Sequence, residues 1–453
     1  MSNCQLPKYN IENHKIDWRG YVVSGINKYV LIKKLGHGSY SSVWMAKTLG
    51  NETKYYAIKI HNIEDVKEGL KEIKVYNNLY KLDTPNIINI VDNFNIEREF
   101  CGKKIVHVCM VMELMGYSTY DLITKKGYHN GLPLDVVLNI IKQILETLKV
   151  LHKNNIVHGD LKPENIMLSS IKEDDKEIIN LCEIKEDNKS LIGYIKNLPE
   201  SDVESSVYSD SESSVYSDSE SSISENYSST SNLDSVNSDG DNSNSDKDDY
   251  VDCFEKEIIG DNKSLFEINI DSDDNSTDSY SENDDKQNDK YSIKNSTIKL
   301  IDIGTCYING EKQRKVIHTS YYRSPEVILR LGYDEKADMW ALGCAMYELL
   351  TGKILFNPDE KRRQKVRYQL ELMIQKVGSI PDDMISRSSQ REIYFTNRYY
   401  LKGMKYVNSD DTWKKIIPTT DSNKKKIVLD FILKLLSPNP LNRMSSSEAL
   451  SHQ

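Results

Sequence analysis

The spacing of apolar positions divides this chain into a short strand-rich part and a longer helical part. Runs rich in Val, Ile and aromatic residues at Tyr29–Leu35, Ser42–Lys47, Tyr55–Ile60 and Val106–Glu113 predict strands. A helix is predicted between them, over roughly Glu64–Tyr80. From Leu134 to His152 the residues Val137, Ile140, Ile141, Ile144, Leu148 and Leu151 recur at helical spacing, which marks one buried face. Residues 321–453 again read mainly as helix. The most apolar stretch, Met339–Leu350, is too short to span a bilayer and contains Glu348, so it predicts a buried helix.

Between Leu168 and Ile298 the pattern changes. Ser, Asp, Glu and Asn dominate 201–250, and Glu-Ser-Ser-Val-Tyr-Ser-Asp-Ser occurs at 204–211 and again at 212–219. A segment so poor in apolar residues cannot bury enough surface to offset its ordering entropy, so disorder is expected. The unit is too short and polar for a solenoid repeat. Residues 176–198 and 251–270 are more apolar and are candidates for local docking. An insertion of this length is tolerated if its two ends are held together.

Charge sharpens that division. The formal charge is −10, but residues 201–290 hold 26 Asp and Glu against 5 Lys, which puts −21 there and +11 on the remainder. Seven cysteines show no CxxC or metal-ligand spacing and are expected to be free thiols. No apolar core follows Lys8 and Asn10, so neither a secretory leader nor a membrane span is expected, and a cytoplasmic or nuclear location follows. The basic body lacks an aromatic-basic platform, and nucleic-acid binding is not expected.

Candidate chemistry lies in the ordered parts. His158-Gly159-Asp160-Leu161-Lys162-Pro163-Glu164-Asn165 places an aspartate, a lysine and an asparagine in one tight loop. Phosphoryl transfer from ATP needs such a set: Asp160 to orient a hydroxyl and accept its proton, Lys162 to offset charge, and Asn165 to hold a magnesium ion. Gly36-His37-Gly38-Ser39-Tyr40-Ser41-Ser42-Val43 follows a strand, and its two glycines would let backbone N–H groups approach phosphate oxygens. Lys59 lies in a strand between Ile58 and Ile60, where a lysine is unusual unless it has a task. Glu72 on the next helix is its candidate partner, with Glu68 as the competing choice. Asp302 ends the apolar run Ile298–Ile301 and precedes Ile303 and Gly304, which suits a metal ligand at a hinge. His318-Thr319-Ser320-Tyr321-Tyr322-Arg323-Ser324-Pro325-Glu326, Asp338-Met339-Trp340-Ala341-Leu342-Gly343 and Arg443 complete the set.

In this order the motifs resemble the eukaryotic protein kinases over about residues 29–168 and 298–453. The resemblance implies an α+β, bilobal fold, with a small β-rich N-lobe, a larger helical C-lobe and ATP between them. The implied segments are a tail at 1–28, the N-lobe at 29–115, the first part of the C-lobe at 116–169, a disordered acidic insertion at 170–297 and the rest of the C-lobe at 298–453. It implies Asp160 as catalytic base and Lys162 as its assistant in Ser/Thr phosphorylation. Asn165 and Asp302 become magnesium ligands, and Lys59–Glu72 the pair that orients ATP. Leu35, Gly36, His37, Gly38, Ser39, Tyr40, Ser41, Ser42, Val43 and Ala57 would surround the nucleotide, with Glu113–Met115 as the adenine-binding hinge and Met112 beside it. Thr319 and Arg323 would shape the substrate pocket, Glu326 and Arg443 would form a buried ion pair, and Asp338 would brace the catalytic loop.

Three features make the chain similar to the SR protein kinases: Ser41 at the third loop glycine, the small Gly159 where most kinases have arginine, and the long insertion. Arg323 and Gln369–Pro381 also suit the wider group that contains the cyclin-dependent and dual-specificity kinases. Without an arginine at 159, the activation segment Asp302–Glu326 is expected to be competent unphosphorylated. SR protein kinases dock Arg-rich substrates on an acidic groove; here 361–367 is basic, and Lys312, Arg314 and Lys315 add to it. That charge suits acidic or phosphorylated partners, or the chain's own insertion, as well as a solvated helix face. The expected partner is a protein with a Ser or Thr acceptor, and the expected state is a monomer. Two other classes compete: a pseudokinase scaffold, opposed by the complete set Lys59, Glu72, Asp160, Lys162, Asn165 and Asp302, and an acidic interaction protein built around the insertion.

Overall fold

The computed structural model describes residues 9–10, 15–38, 40–50, 52–82, 84, 86–100, 103–185, 187–198, 265, 293, 296–303, 306–308, 316–358, 365–404, 413, 416 and 421–452. Ser39, Gly304, Lys312, Arg314, Lys315, residues 361–364 and the acidic tract 201–250 lie outside them.

The β-rich runs form one antiparallel sheet. Its strands are β1 (Val22–Ser24), β2 (Lys28–His37), β3 (Ser41–Thr48), β4 (Tyr55–His61), β5 (Ile90–Phe100) and β6 (Lys103–Glu113), in the order β1-β2-β3-β4-β6-β5. Side chains alternate between its faces. Tyr29, Leu31, Trp44, Ala46, Ile58, Ile60, Cys109 and Val111 form one apolar cluster, closed by Trp18. Val30, Ile32, Met45, Ala57 and Leu114 line the other. The helix α1 (Val66–Leu79) turns Glu72, Tyr76 and Leu79 inward.

Three boundaries differ from the sequence reading. Residues 16–24 belong to the sheet domain rather than to a free tail, since Trp18 is buried and Val22–Ser24 pairs with Lys28–Val30. The strand β5 went unseen because Asp92, Asn93, Asn95, Glu97, Arg98 and Glu99 mask its alternation. Residues 170–198, assigned to the disordered insertion, hold α4 (Glu173–Glu183) and α5 (Asn188–Lys196). Their Cys182, Leu191 and Ile195 complete the cluster under the sheet. Lys33 pairs with the buried Asp175 at 3.1 Å, and the Lys47 ammonium donates to the Cys182 carbonyl at 3.0 Å.

The helical part is built around two helices, with α2 (Thr119–Lys125) preceding them. The first, α3 (Leu134–Lys153), is amphipathic as predicted, with Val137, Ile141, Ile144, Leu148 and Leu151 buried. Past the short α6 (Pro325–Ile328) comes the second, α7 (Lys336–Thr351), apolar nearly all round and buried from Ala337 to Leu350. It stops at Gly352, whose φ of +67° is the left-handed cap that glycine takes without strain. Among the described residues no helix is long and apolar enough to cross a membrane.

The two parts of the helical region meet as an antiparallel pair. Strand β8 (Ile166–Leu168) pairs with β9 (Ile298–Leu300) in the register Ile166–Leu300, Met167–Lys299 and Leu168–Ile298, and the Ser169 amide donates to the Thr297 carbonyl at 2.9 Å. The shorter β7 (Ile156–Val157) pairs likewise with β10 (Tyr307–Ile308). The insertion therefore leaves and returns at one point, and its closure entropy is already offset by the sheet pair.

Arg443 locks the far end. Its guanidinium donates to Glu326 at 2.7 and 3.0 Å, to the Lys336 and Ser437 carbonyls, and lies over the Trp340 ring. Both side chains are buried. Arg443→Met strands a buried carboxylate and should destabilise the protein by about 3–5 kcal/mol, with Glu326→Gln added in the same chain recovering part of the loss. Denaturant midpoints of the two variants against wild type check this; an unchanged midpoint for Arg443→Met would contradict it.

Candidate active site

The β2–β3 turn carries the glycine motif. A Cβ built on Gly36 or Gly38 would meet nothing within 4 Å, so neither packing nor a positive φ demands glycine there. The space beside both glycines is open, while the Gly38 amide donates to the Ser41 carbonyl at 2.9 Å and closes the turn. Beneath it Leu35, Val43 and Ala57 lie on one apolar face with Leu114 of the segment that joins the lobes. Met115 is buried in the helical lobe. Two side chains turn away from this site: the Ser42 hydroxyl accepts from the Trp44 indole at 3.0 Å, and Glu113 accepts the Asn89 amide at 3.0 Å and meets Lys299 at 3.5 Å. Tyr40 is exposed and Ser41 buried.

Lys59 resolves the choice between its two candidate partners. Its ammonium lies 2.8 Å from both oxygens of Glu72, which is buried, whereas Glu68 is exposed. A third carboxylate, Asp302, is 3.1 Å away. Burial alone would lower the Lys59 ammonium, but Asp302 and Glu72 outweigh it and hold the group well above its ordinary range. Burial would likewise raise Glu72, yet Lys59 and His61 keep its carboxyl below the usual range.

The catalytic loop forms a compact set of bonds. Asp160 Oδ1 accepts from the Thr319 amide and hydroxyl at 3.0 and 2.9 Å; its Oδ2 accepts from Asn165 Nδ2 at 3.0 Å and meets Lys162 Nζ at 2.8 Å. Lys162 also donates to the Thr319 hydroxyl at 2.8 Å. Burial pushes the Asp160 carboxyl up, but Lys162 and the Thr319 hydrogen bond bring it below the ordinary range. Asn165 spends its amide nitrogen on Asp160, at the side chain and at the carbonyl 2.8 Å away, which fixes the plane of its amide and leaves Oδ1 for a cation. The Ile301 amide donates to the Asn165 carbonyl at 3.0 Å, so the β8–β9 pair brings Asn165 beside Asp302. Asp302 sits at φ +59° with a partly exposed carboxylate. An amide oxygen and a carboxylate are hard donors that suit a divalent ion also bound to phosphates.

Asp338 carries this loop. It is fully buried and accepts the His158 amide at 2.7 Å and the Gly159 amide at 3.0 Å, with His152 Nε2 at 3.1 Å and His318 Nε2 at 3.2 Å. Burial would raise its carboxyl, but these imidazoles hold it far below the carboxylate range. Gly159 has φ +79°, and its carbonyl accepts the His318 amide at 2.7 Å, a geometry few side chains tolerate. Arg323 Nε donates to the His318 carbonyl at 2.9 Å. Glu326 and Arg443 stand apart, within the helical lobe. Three histidines that touch this machinery were given no role in the sequence: His61, 3.2 Å from Glu72, and His152 and His318, 3.1 and 3.2 Å from Asp338. Strand alternation puts 57, 59 and 61 on one face and could have marked the first.

A protein kinase domain model matches residues 29–185 and 286–453, and the chain belongs to the protein kinase family. It is an ATP-dependent serine/threonine protein kinase related to the SRPK and CLK kinases. Protein L205 of Acanthamoeba polyphaga mimivirus is 30% identical, over 100% of this chain and 90% of that protein. Serine/threonine-protein kinase SRPK of Physarum polycephalum is 26% identical over 94% of this chain and 85% of its own length. The human dual specificity protein kinase CLK2 is 22% identical over 94% of this chain and 63% of that protein. A crystal structure of a kinase domain shares the fold at a TM-score of 0.54, with 22% identity over 94% of both chains.

One buried acid beside the site gives a pH signature. Glu348 accepts from the Tyr322 hydroxyl at 2.6 Å, and burial, with Glu164 nearby, pushes its carboxyl up to about 8. The folded protein thus binds a proton that the unfolded chain releases near pH ~4.3. Stability is full below that pH and falls as pH rises towards 8, by a total on the order of a few kcal/mol. The melting temperature of wild type should therefore drop relative to Glu348→Gln between pH 5 and pH 8.5; parallel curves would contradict this.

Proposed function

We propose that the chain transfers the γ-phosphoryl of magnesium ATP to Ser and Thr hydroxyls of protein substrates, with an activation segment that needs no phosphate. The observation that supports it best is the joint placing of Asp160, Lys162 and Thr319 within hydrogen-bond reach of one another. Asp160 orients the acceptor hydroxyl and takes its proton. Lys162 offsets the charge that gathers on the transferred group, and Lys59, fixed by Glu72, orients the α- and β-phosphates. Asn165 and Asp302 are the residues that would hold magnesium, which neutralises phosphate charge when bound. Positioning and preorganised charge supply most of the acceleration.

The segment before Pro325 is fixed by hydrogen bonds to its own and neighbouring groups. His318 donates its amide to Gly159, Tyr322 its hydroxyl to Glu348, Arg323 its Nε to the His318 carbonyl, and Gln369 its amide to the Ser320 carbonyl. None of these requires a phosphate, and Gly159 has no side chain to grip one. Kinship with the SR protein kinases favours Arg/Ser-rich acceptors. The basic run at 361–367 favours acidic ones; within it Arg367 is engaged with Glu371 at 3.1 Å and with the Lys402 carbonyl.

Phosphatase-treated protein, γ-labelled ATP and a peptide library with Arg/Ser-repeat and acidic members test both points. Full activity should survive the treatment, and Asp160→Asn should lose about 10²–10⁴-fold while still folding. Activity abolished by phosphatase and restored by a phosphosite within 305–320 would overturn the phosphate-independent segment.

A further inference from the structure

The β4 strand carries a histidine that the ATP-orienting pair does not explain. His61 is 2% exposed and two residues beyond Lys59, on the same face. Its Nε2 lies 3.2 Å from Glu72 Oε2, and its Nδ1 lies 3.3 Å from the Val108 carbonyl oxygen. Both ring nitrogens therefore face oxygen acceptors. A neutral imidazole has one N–H and satisfies one of them; the imidazolium has two and satisfies both.

The surroundings hold the ring in place. Gly69 of α1 packs against it so closely that a Cβ there would lie 3.0 Å from ring atoms. Behind it, His107 Nδ1 lies 2.9 Å from the His61 carbonyl, and Arg98 donates to His107 Nε2 at 2.8 Å. Since Arg98 can only donate, His107 accepts at Nε2 and gives its Nδ1–H to His61, so its tautomer is set. Trp18 closes this group edge-on to His107, with the Arg98 guanidinium 5.3 Å from its ring. The charged and titratable groups around His61 are Glu72 and Lys59 at the ion pair, Asp65 at the start of α1, and His107 with Arg98 beyond it.

We propose that His61 is a positioning residue for ATP use: its buried ring, held against Glu72 and the Val108 carbonyl, pins α1 to the sheet so that Glu72 stays on Lys59. Without the ring α1 loosens and ATP affinity weakens. The inference rests on the reading of Lys59 and Glu72 as the pair that orients ATP.

The test compares wild type, His61→Gln, His61→Leu and Lys59→Met in the full chain. Glutamine keeps an N–H donor for Glu72, and leucine keeps none. Hydrogen exchange in α1 is followed without nucleotide, and it should be slowest in wild type, fastest in His61→Leu and intermediate in His61→Gln. His61→Leu should raise KM for ATP about tenfold with a smaller change in kcat, and His61→Gln should recover part of that. Wild-type α1 exchange and an unchanged KM for ATP in His61→Leu would overturn the role of His61 while loss of ATP use in Lys59→Met left the ion-pair reading standing. An ATP-competent Lys59→Met would overturn the ion-pair reading and this inference with it.

Discussion

One buried carboxylate organises the reaction centre. Asp338 has no access to water and sits inside a largely apolar, buried helix. An ion in such a place must be met by donors on every side. The donors it collects are two amides of the catalytic loop, His152 of α3 and His318 of the activation segment. Satisfying that charge therefore brings three separate stretches of chain to one point. The geometry of Asp160 follows, because the amides on Asp338 belong to the two residues just before it.

The nucleotide side obeys the same logic with a different currency of contacts. Lys59, Glu72 and Asp302 form a chain of opposite charges between β4, α1 and the end of β9. Lys59 and Glu72 are withdrawn from water, and each holds the other in its charged form. The sheet that carries Lys59 is stiffened on both faces, by Trp18 on one and by α4 and α5 on the other. The insertion is thus more than an appendage at its start: its first thirty or so residues supply apolar cover for the sheet.

Much of the site was legible in the sequence, and for a clear reason. Asp160, Lys162 and Asn165 share one loop, and Lys59 and Asp302 each stand out as a charge at an apolar strand. Such local contrasts survive without knowledge of the fold. The choice of Glu72 over Glu68 needed the burial of α1, and the pairing of Ile166 with Leu300 crosses more than a hundred residues that carry no trace of it. The strand β5 was hidden by its polar side chains; the docking of 176–198 was expected from its apolar residues, but its helices were not. His61 drew no notice and His318 no role, because a histidine near a motif is unremarkable until its partners are known.

The central claim is that residues from both lobes meet at one magnesium-bound triphosphate, and nucleotide affinity measured with and without the ion tests it most directly. In wild-type protein magnesium should tighten ATP binding, and Asp302→Ala should abolish that gain while the fold, read by its melting curve, persists. Equal affinity for ATP in magnesium and in EDTA, or a gain that survives in Asp302→Ala, would contradict the account.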